Sequence, residues 1–288
     1  MHAVGIDIGG TKIAAGVVDA QGALLATTRR DTNPEEPSDI EDAVVDAVAE
    51  LRRDFEVSAV GVAAAGFVDP TRSKVMFAPN IAWRDYPLRE ILEARLELPV
   101  DVENDANAAG WGEFRFGAGR DVSDMVMLTV GTGLGGAIVL DGNLLRGAAG
   151  AAAEVGHMRV VPNGRACGCG HDGCWETYVS GTALVRETRA ALATDPARAE
   201  RLLELAGGKA KRVTGPHVTA AAAEGDPLAV EMLTDLGRWL GAGMAALSAV
   251  LDPAMYVIGG GVGAAGDLLL GPAREVLDEQ LFARAQRP

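Results

Sequence analysis

The chain has 288 residues, 48% of them apolar, so it can bury a large core as one big domain or as two lobes. Its 40 Asp and Glu residues outnumber 26 Lys and Arg, and the formal net charge of -14 disfavours nucleic acids and membrane surfaces as partners. No export leader or membrane-spanning stretch is recognisable, and three clustered cysteines do not make a disulfide framework, so a reducing, cytoplasmic compartment is expected.

Strands and helices are predicted to alternate in the first part of the chain. In chain order they are strands over 3–8 and 13–18, a helix over 38–54, a strand over 59–65, an irregular stretch to Pro87, a helix over 88–96 and a strand over 100–103. The helix over 38–54 is predicted to begin at a Ser38 cap, with Glu41 in the capping-box position. Its helically spaced apolar residues are expected to pack on the first sheet: Ile40, Val44, Ala47, Val48 and Leu51. This alternation favours an α/β layered fold.

The second part of the chain repeats the opening pattern. A strand over 125–130 breaks at a Gly-Thr turn, resumes over 137–140 and turns at Asp141-Gly142 before two leucines, as residues 3–25 do. Two such copies indicate an internal duplication, with an equivalent sheet in each lobe. Chance similarity of two hairpins is the alternative, because glycine turns between strands are common.

The rest of the chain is predicted to be mainly helical. A helix over 227–251 is capped by Asp226, a buried strand over 255–258 runs into three glycines, and a last helix covers 268–281. The boundary between lobes is predicted near Asn104, which divides the chain into 1–103 and 104–288.

The cysteines form a C-x-C-x4-C cluster, Cys167, Cys169 and Cys174, with His157 upstream. Three thiolates and one imidazole complete a tetrahedral zinc shell, and a shell without an open position is structural. His171 lies in the same loop and could replace His157. Three uncoordinated thiols in a mobile loop are the alternative.

Polar side chains near this cluster are candidate ligands for a small polyol. A loop closed by zinc would bring Glu154, His157 and Glu176 together in space. Carboxylates and imidazole suit vicinal hydroxyls, which both donate and accept hydrogen bonds. For each acid alone, a solvated surface carboxylate is the commoner interpretation.

Asp105 stands where a strand ends and a helix begins, inside Glu103-Asn104-Asp105-Ala106-Asn107. A carboxylate there can take the proton of a hydroxyl that attacks a phosphoryl group. A helix cap is the commoner interpretation of an Asp in this position.

Glycine turns are candidate phosphate sites. Asp7 is followed by Gly9, Gly10, Thr11 and Lys12, whose amides, hydroxyl and ammonium can hold phosphate oxygens while Asp7 holds Mg²⁺ through water. The second copy, Gly131-Thr132-Gly133, lacks the lysine but offers the same backbone donors. Glycines needed only for tight turning are the alternative.

Two segments match G-x-G-x-x-G, one beginning at Gly131 and one at Gly261, but neither supports a dinucleotide-binding fold. A strand pattern follows the first where a helix is required, and the second lacks a following strand with a ribose-binding acid. The run Gly259-Gly260-Gly261 instead suits close approach to an adenine nucleotide. Helix-dipole contact or close packing would use the same residues.

Taken together, these motifs resemble the ROK family of sugar kinases and sugar-responsive repressors, and most of all its bacterial glucokinases. The resemblance runs from Gly5 to about Leu281. The segments that carry it are Asp7 to Lys12, Glu103-Asn104-Asp105, Gly131 to Gly136, Glu154-Val155-Gly156-His157 and Cys167 to Glu176.

The resemblance implies an α/β, duplicated actin-like ATPase (ribonuclease H-like) fold, with two lobes, a central cleft and a zinc-binding loop. It implies Asp105 as general base, ATP held by the two glycine turns and the late glycine run, and a structural zinc on His157 and the three cysteines. Family members commonly form dimers, so a homodimer or homotetramer is expected. Implied sugar contacts are Gly66, Asn104, Asp105, Glu154, His157 and Glu176.

The chain departs from the family pattern at two places. Ala153 stands where many members have glycine before Glu154, which restricts the backbone there. The chain ends at Pro288, soon after the last predicted helix, whereas the family usually continues with a segment that returns to the first lobe, so that closing element is expected to be absent.

The leading hypothesis is therefore a kinase that transfers the γ-phosphate of ATP to the 6-hydroxyl of glucose, with Mg²⁺. Mannose, N-acetylmannosamine, fructose and allose stay open as substrates, because the same groups serve several epimers. ATP is favoured over polyphosphate since no long basic groove is predicted. A sugar-sensing regulator would require a basic helix-turn-helix ahead of the core, and a zinc-stabilised module without catalysis would not need Asp7, Lys12 and Asp105.

Overall fold

The computed structural model describes residues 2–281. Contacts within the chain group it into two compact units: Met1–Asp121 with Ala137–Ala153, and Val122–Gly136 with Glu154–Pro288. The division into domains 1–103 and 104–288 stays a prediction about the lobes of the fold. The expected lack of a closing segment concerns the end of the chain, outside the described residues.

The first unit is built on a five-stranded sheet of order β3-β2-β1-β4-β8. The strands are β1 His2–Ile8, β2 Lys12–Val18, β3 Leu24–Asp31, β4 Val57–Ala64 and β8 Val100–Asn104. β1 is antiparallel to β2 and parallel to β4, and β4 is parallel to β8. The carboxyl ends of β1, β4 and β8 therefore lie at the same edge of the sheet, which places Asp7 and Asn104 on that edge.

Helix α1, Pro37–Leu51, packs on this sheet through the side chains that the periodicity predicted: Ile40, Val44, Ala47, Val48 and Leu51 are buried. The predicted Ser38 cap is wrong. Glu36 is the N-cap residue, without a side-chain cap bond, and Pro37 occupies the first helical position. Proline suits that position because its φ is already helical and it has no N–H that needs a partner.

The stretch predicted as irregular up to Pro87 contains a small antiparallel sheet. Its strands are β5 Phe67–Val68, β6 Val75–Phe77 and β7 Arg84–Tyr86. These strands have two or three residues each, too few for an alternating pattern to be recognised. Helix α2, Leu88–Leu96, follows as predicted.

Helix α3, Asp105–Phe116, begins directly after β8. Its N-cap is Asn104, whose side-chain oxygen accepts a hydrogen bond from the Asn107 N–H at 3.0 Å. Asp105 is therefore the first helical residue, and capping does not explain its presence.

A second sheet has the order β11-β10-β9-β12. Its strands are β9 Met125–Val130, β10 Leu134–Leu140, β11 Asn143–Leu144 and β12 Met255–Gly259. β9 is parallel to β12, and β10 is antiparallel to β11. The series β3-β2-β1-β4 of the first sheet thus recurs in the second, which confirms the predicted duplication.

Apart from β9, β12 and the first residues of β10, the regular elements of the second unit are mainly helices. Its helices are α4 Gly181–Thr194, α5 Glu200–Leu205, α6 Gly215–Ala223, α7 Pro227–Leu251, α8 Gly260–Gly263 and α9 Asp267–Gln280. The bounds of α7 and its Asp226 cap match the prediction, and the Asp226 side chain accepts a hydrogen bond from the Ala229 N–H at 3.0 Å. None of the helices within residues 2–281 is both long and apolar enough to cross a bilayer.

Candidate active site

Asp105 is an exposed residue at the edge of the first sheet, and one of its carboxylate oxygens accepts the Ala106 N–H at 2.9 Å. Surrounding protein atoms nevertheless raise the pKa of Asp105 by partial burial, which outweighs that hydrogen bond, and the nearby carboxylate of Asp7 raises it further. Burial also raises the pKa of Asp7. A carboxylate whose charged form is disfavoured is a stronger base than an ordinary aspartate.

Asn104 ties the start of α3 to the turn that follows β4. Its side-chain nitrogen donates to the Gly66 carbonyl oxygen at 3.0 Å, while its oxygen caps the helix. The structure thus brings three of the predicted sugar-contacting residues, Gly66, Asn104 and Asp105, to one edge of the first unit. These two hydrogen bonds fix the side chain of Asn104, and Asp105 follows it as the first residue of α3.

The first glycine turn closes with a hydrogen bond from the Gly9 N–H to the Lys12 carbonyl oxygen at 2.9 Å. Thr11 and Lys12 are exposed, and the Thr11 carbonyl oxygen accepts the Thr32 N–H at 2.9 Å. The turn therefore presents a hydroxyl and an ammonium to solvent directly after the carboxylate of Asp7.

The second glycine turn is anchored by the start of α4. The Gly131 carbonyl oxygen accepts the Gly181 N–H at 2.7 Å, and the Thr132 carbonyl oxygen accepts the Thr182 hydroxyl at 2.8 Å. Unlike the first turn, it carries no charged side chain of its own, and its geometry depends on these neighbours.

A cavity of about 870 Å³ lies within the second unit beside this turn. Gly131, Thr132, Gly181, Thr182 and Gly261 line it, together with Arg186, Arg189 and the segment 213–216. A cavity of this size, with glycine backbone, hydroxyls and arginines around it, suits a nucleotide. The sequence prediction missed the contributions of α4 and of residues 213–216.

The start of α4 could have been found from the sequence. Ser180 caps the helix by accepting the Ala183 N–H at 3.0 Å, and Ser-Gly-Thr before an apolar pattern is a typical helix start. Helix N-termini present N–H groups that favour anions. The contribution of residues 213–216 has no such local motif.

The predicted run Gly259-Gly260-Gly261 joins the end of β12 to α8. Gly260 has φ +85°, and a Cβ there would lie 2.5 Å from the Val130 carbonyl oxygen, so glycine is required. Of the three, Gly261 lines the cavity.

The zinc ligands predicted from the spacing come together in the second unit. One ligand atom from each of His157, Cys167, Cys169 and Cys174 lies within 4.8 Å of the others. Cys167 Sγ is 3.8 Å from His157 Nδ1, and Cys169 Sγ is 3.6 Å from Cys174 Sγ. Tetrahedral zinc with ligands at about 2.3 Å requires ligand separations of about 3.8 Å. The cluster therefore fits a closed zinc site.

His171 lies beside this cluster, with Nδ1 3.6 Å from Cys169 Sγ. That contact lowers the pKa of the exposed Cys169 thiol to about 6. His171 thus neighbours one sulfur of the group, while His157 is the imidazole grouped with all three.

Glu176 connects the cysteine cluster with the second glycine turn. Its Oε1 accepts from Cys167 Sγ at 3.0 Å and lies 3.6 Å from His157 Nδ1, while a Cβ on Gly133 would meet its Oε2 at 2.8 Å. Glu154 precedes the short 3₁₀ helix Val155–His157 and is half-buried. The structure thus places His157 and Glu176 together, with Glu154 three residues before His157.

Comparison with known proteins supports the resemblance to the ROK family over nearly the whole chain. The ROK family model matches residues 3–288. The chain is 50% identical to a glucokinase of Streptomyces coelicolor over 285 residues, which is 99% of this chain and 90% of the relative.

Two solved structures are also similar. One is a ROK family glucokinase from Streptomyces griseus in complex with glucose and AMPPNP, with 49% identity, a TM-score of 0.89, and coverage of 100% of this chain and 92% of that chain. The other is a ROK hexokinase from Thermus thermophilus, with 34% identity, a TM-score of 0.79, and coverage of 98% and 91%. The duplicated sheets and these similarities confirm the predicted actin-like ATPase fold, and the chain belongs to the ROK family.

Proposed function

We propose that the chain is a glucokinase that transfers the γ-phosphate of ATP to the 6-hydroxyl of glucose. The observation that carries the proposal is Asp105: Asn104 caps α3 in its place, and burial together with Asp7 raises its pKa. Similarity to glucokinases over nearly the whole chain supports glucose as the acceptor and ATP as the donor.

In this reaction Asp105 accepts the proton of the attacking hydroxyl. A base is effective when its pKa approaches the working pH, so the raised pKa of Asp105 favours proton transfer. The carboxylate must be ionised to act, and kcat/KM is expected to fall as the pH decreases through the pKa of Asp105. Removing the charge of Asp7 would lower that pKa and move the acid limb to lower pH.

Gly66, Asn104, Glu154, His157 and Glu176 are proposed to bind the sugar hydroxyls. The double hydrogen bonding of Asn104 and the contacts of Glu176 fix these side chains before a ligand arrives, which reduces the entropic cost of binding. Glu154 and Glu176 are proposed as acceptors for hydroxyl donors.

The nucleotide is proposed to lie in the cavity beside the second glycine turn, with its phosphates near backbone donors of Gly131, Thr132 and Gly133. Gly259, Gly260 and Gly261 are proposed to let the nucleotide approach the backbone closely at another part of the cavity wall. Gly9, Gly10, Thr11 and Lys12 of the first turn are proposed to contact phosphate oxygens. Mg²⁺, held by Asp7 through water, would neutralise phosphate charge when bound.

Zinc is proposed to be structural. His157, Cys167, Cys169 and Cys174 would fill a tetrahedral shell and leave no position for water, so zinc would hold the loop that carries His157 and Glu176. A cytoplasmic homodimer or homotetramer is proposed for the assembly.

The test is a sugar panel assayed for ADP formation with ATP and Mg²⁺, with wild type and Asp105→Asn compared. Glucose is expected to turn over fastest, ahead of mannose, N-acetylmannosamine, fructose and allose. In the variant, kcat should fall by a factor of roughly 10²–10⁴, the usual contribution of a general base. Its binding of glucose, measured by calorimetry, should persist. Equal rates for the two proteins would reject Asp105 as the base, and faster turnover of another hexose would reject glucose as the preferred substrate.

A further inference from the structure

Glu103, directly before Asn104 and Asp105, forms an ion pair with a residue outside the motifs described above. Arg146 Nε donates to Glu103 Oε2 at 2.7 Å, and the two side chains are 31% and 15% exposed. Arg146 lies two residues after β11, and both residues belong to the first unit. The pair is thus partly shielded from water, where a charged hydrogen bond is stronger than at the surface.

The other oxygen of Glu103 holds the start of α3. Glu103 Oε1 accepts the Asn104 N–H at 3.1 Å and lies 3.3 Å from Asn107 Nδ2, which donates to it. Asn107 is 3% exposed, and its N–H donates to the Asn104 side chain. One carboxylate therefore connects Arg146 to the turn of helix that contains Asp105.

Arg146 is itself held by a tightly packed loop. Its carbonyl oxygen accepts the Ala152 N–H at 3.1 Å. Gly150 has φ +77°, and a Cβ there would overlap the Val68 carbonyl oxygen on β5. Only glycine permits this approach, so the loop over 146–153 has a defined position from which Arg146 reaches Glu103.

Loss of the guanidinium would leave a half-buried carboxylate without its ionic partner. Such a group is destabilising and moves toward water. Glu103 would then release the Asn104 N–H and Asn107, which orient the first turn of α3. Displacement of a reacting group by about 1 Å can cost up to a hundredfold in rate.

We propose that Arg146 is a positioning residue for Asp105 and acts through Glu103. This inference rests on the proposed kinase function. Arg146 contacts neither reacting atom; it fixes the carboxylate that fixes the helix start.

The test compares Arg146→Met, Glu103→Gln and the double variant in the full-length chain. Arg72→Met is the control, because Arg72 Nη1 pairs with Asp101 Oδ2 at 3.1 Å on the same strand, β8. Asp101 also pairs with Arg89, and none of the hydrogen bonds and ion pairs of the described residues joins these side chains to α3. Per folded molecule, Arg146→Met should lower kcat about tenfold with KM for ATP within twofold of wild type, and Arg72→Met should keep kcat within twofold. Arg146→Lys, which keeps the charge, should recover part of the rate.

Two combinations separate positioning from a general structural role. The double variant should lose no more kcat than the worse single variant, because both changes break one chain of contacts. In an Asp105→Asn background, Arg146→Met should change the residual rate less than twofold, since its effect requires the carboxylate of Asp105.

Multiplicative losses in the double variant, or a tenfold loss that persists without Asp105, would overturn the inference. So would a kcat for Arg146→Met equal to that of Arg72→Met. If Arg146→Met fails to fold, Glu103→Gln and Arg146→Lys supply the same comparison. A wild type without glucose-dependent ADP formation would instead reject the proposed kinase function.

Discussion

The two glycine hairpins share a topology but hold their turns in different ways. In the first, Asp7 precedes the turn and Lys12 follows it, both with exposed side chains. In the second, the corresponding residues are Thr129 and Leu134, and hydrogen bonds from Gly181 and Thr182 anchor the turn. Duplication thus preserved the strand order, while one turn carries charged side chains and the other lies beside a cavity.

The difference has a physical reason. A solvent-facing turn can attract phosphate through full charges, but these are screened by water and salt. A turn packed beside a cavity can use backbone dipoles, which are effective only where water is largely excluded and the geometry is fixed. Substitutions should therefore act through charge in the first copy and through shape in the second.

The largest effect is expected from charge removal in the first copy. Asp7→Asn should lower kcat by about a hundredfold, because the proposed Mg²⁺ contact is lost. Thr129→Val, at the corresponding position of β9, should change kcat less than threefold. Steady-state rates over a range of Mg²⁺ concentrations measure both, and equal losses would contradict the division of roles between the copies.

The cysteine–histidine cluster of the second unit, the proposed zinc site, provides the next effect. Cys169→Ser should reduce the zinc content below one per chain and lower the free energy of unfolding by roughly 3–5 kcal/mol, because a metal ligand is lost. Metal analysis and denaturant unfolding measure these quantities.

His171→Ala is the control for the choice of imidazole. It should retain zinc, since His157 is the imidazole grouped with the three sulfurs. Loss of zinc in His171→Ala, with zinc kept in His157→Ala, would reverse the ligand assignment.

A change of shape should weaken the second turn. A Cβ on Gly181 would lie 2.8 Å from the Gly131 carbonyl oxygen, so Gly181→Ala must displace the turn. KM for ATP is expected to rise about tenfold, a loss of about 1.4 kcal/mol in binding, with KM for glucose nearly unchanged. Gly112→Ala, where an added Cβ would meet no atom outside its own helix backbone and chain neighbours within 4 Å, should leave both constants unchanged. An unaltered KM for ATP in Gly181→Ala would exclude this turn from nucleotide binding.

The smallest effect concerns backbone strain. Ala153 has φ +67°. In the first hairpin, residues 2–31, only glycine has a positive φ. Ala153→Gly should raise the free energy of unfolding by about 0.5 kcal/mol, as relief of strain exceeds the added entropy of the unfolded chain. Ala152→Gly, at an ordinary φ, should lower it by a similar amount, and thermal unfolding distinguishes the two signs.

Much of the fold followed from local patterns. The bounds of β9 and α7, the Asp226 cap and the buried face of α1 were predicted correctly because apolar periodicity and capping chemistry depend on neighbouring residues. The small sheet β5–β7 was missed because its strands are too short for a pattern. The Ser38 cap was wrong because Pro37 offered an alternative start to α1.

The sequence by itself determined the cysteine spacing, the two glycine hairpins and the carboxylate after β8, and these sufficed to indicate the ROK family and the duplicated fold. Only the tertiary structure decided that Asn104 rather than Asp105 caps α3, that residues 213–216 line the nucleotide cavity, and that Arg146 pairs with Glu103. The cap is a local choice that the sequence leaves open, because Asn and Asp both cap helices well. The other two depend on separation along the chain: Glu103 and Arg146 are 43 positions apart, residues 213–216 follow the second glycine turn by about 80 positions, and no local pattern encodes such distant partners.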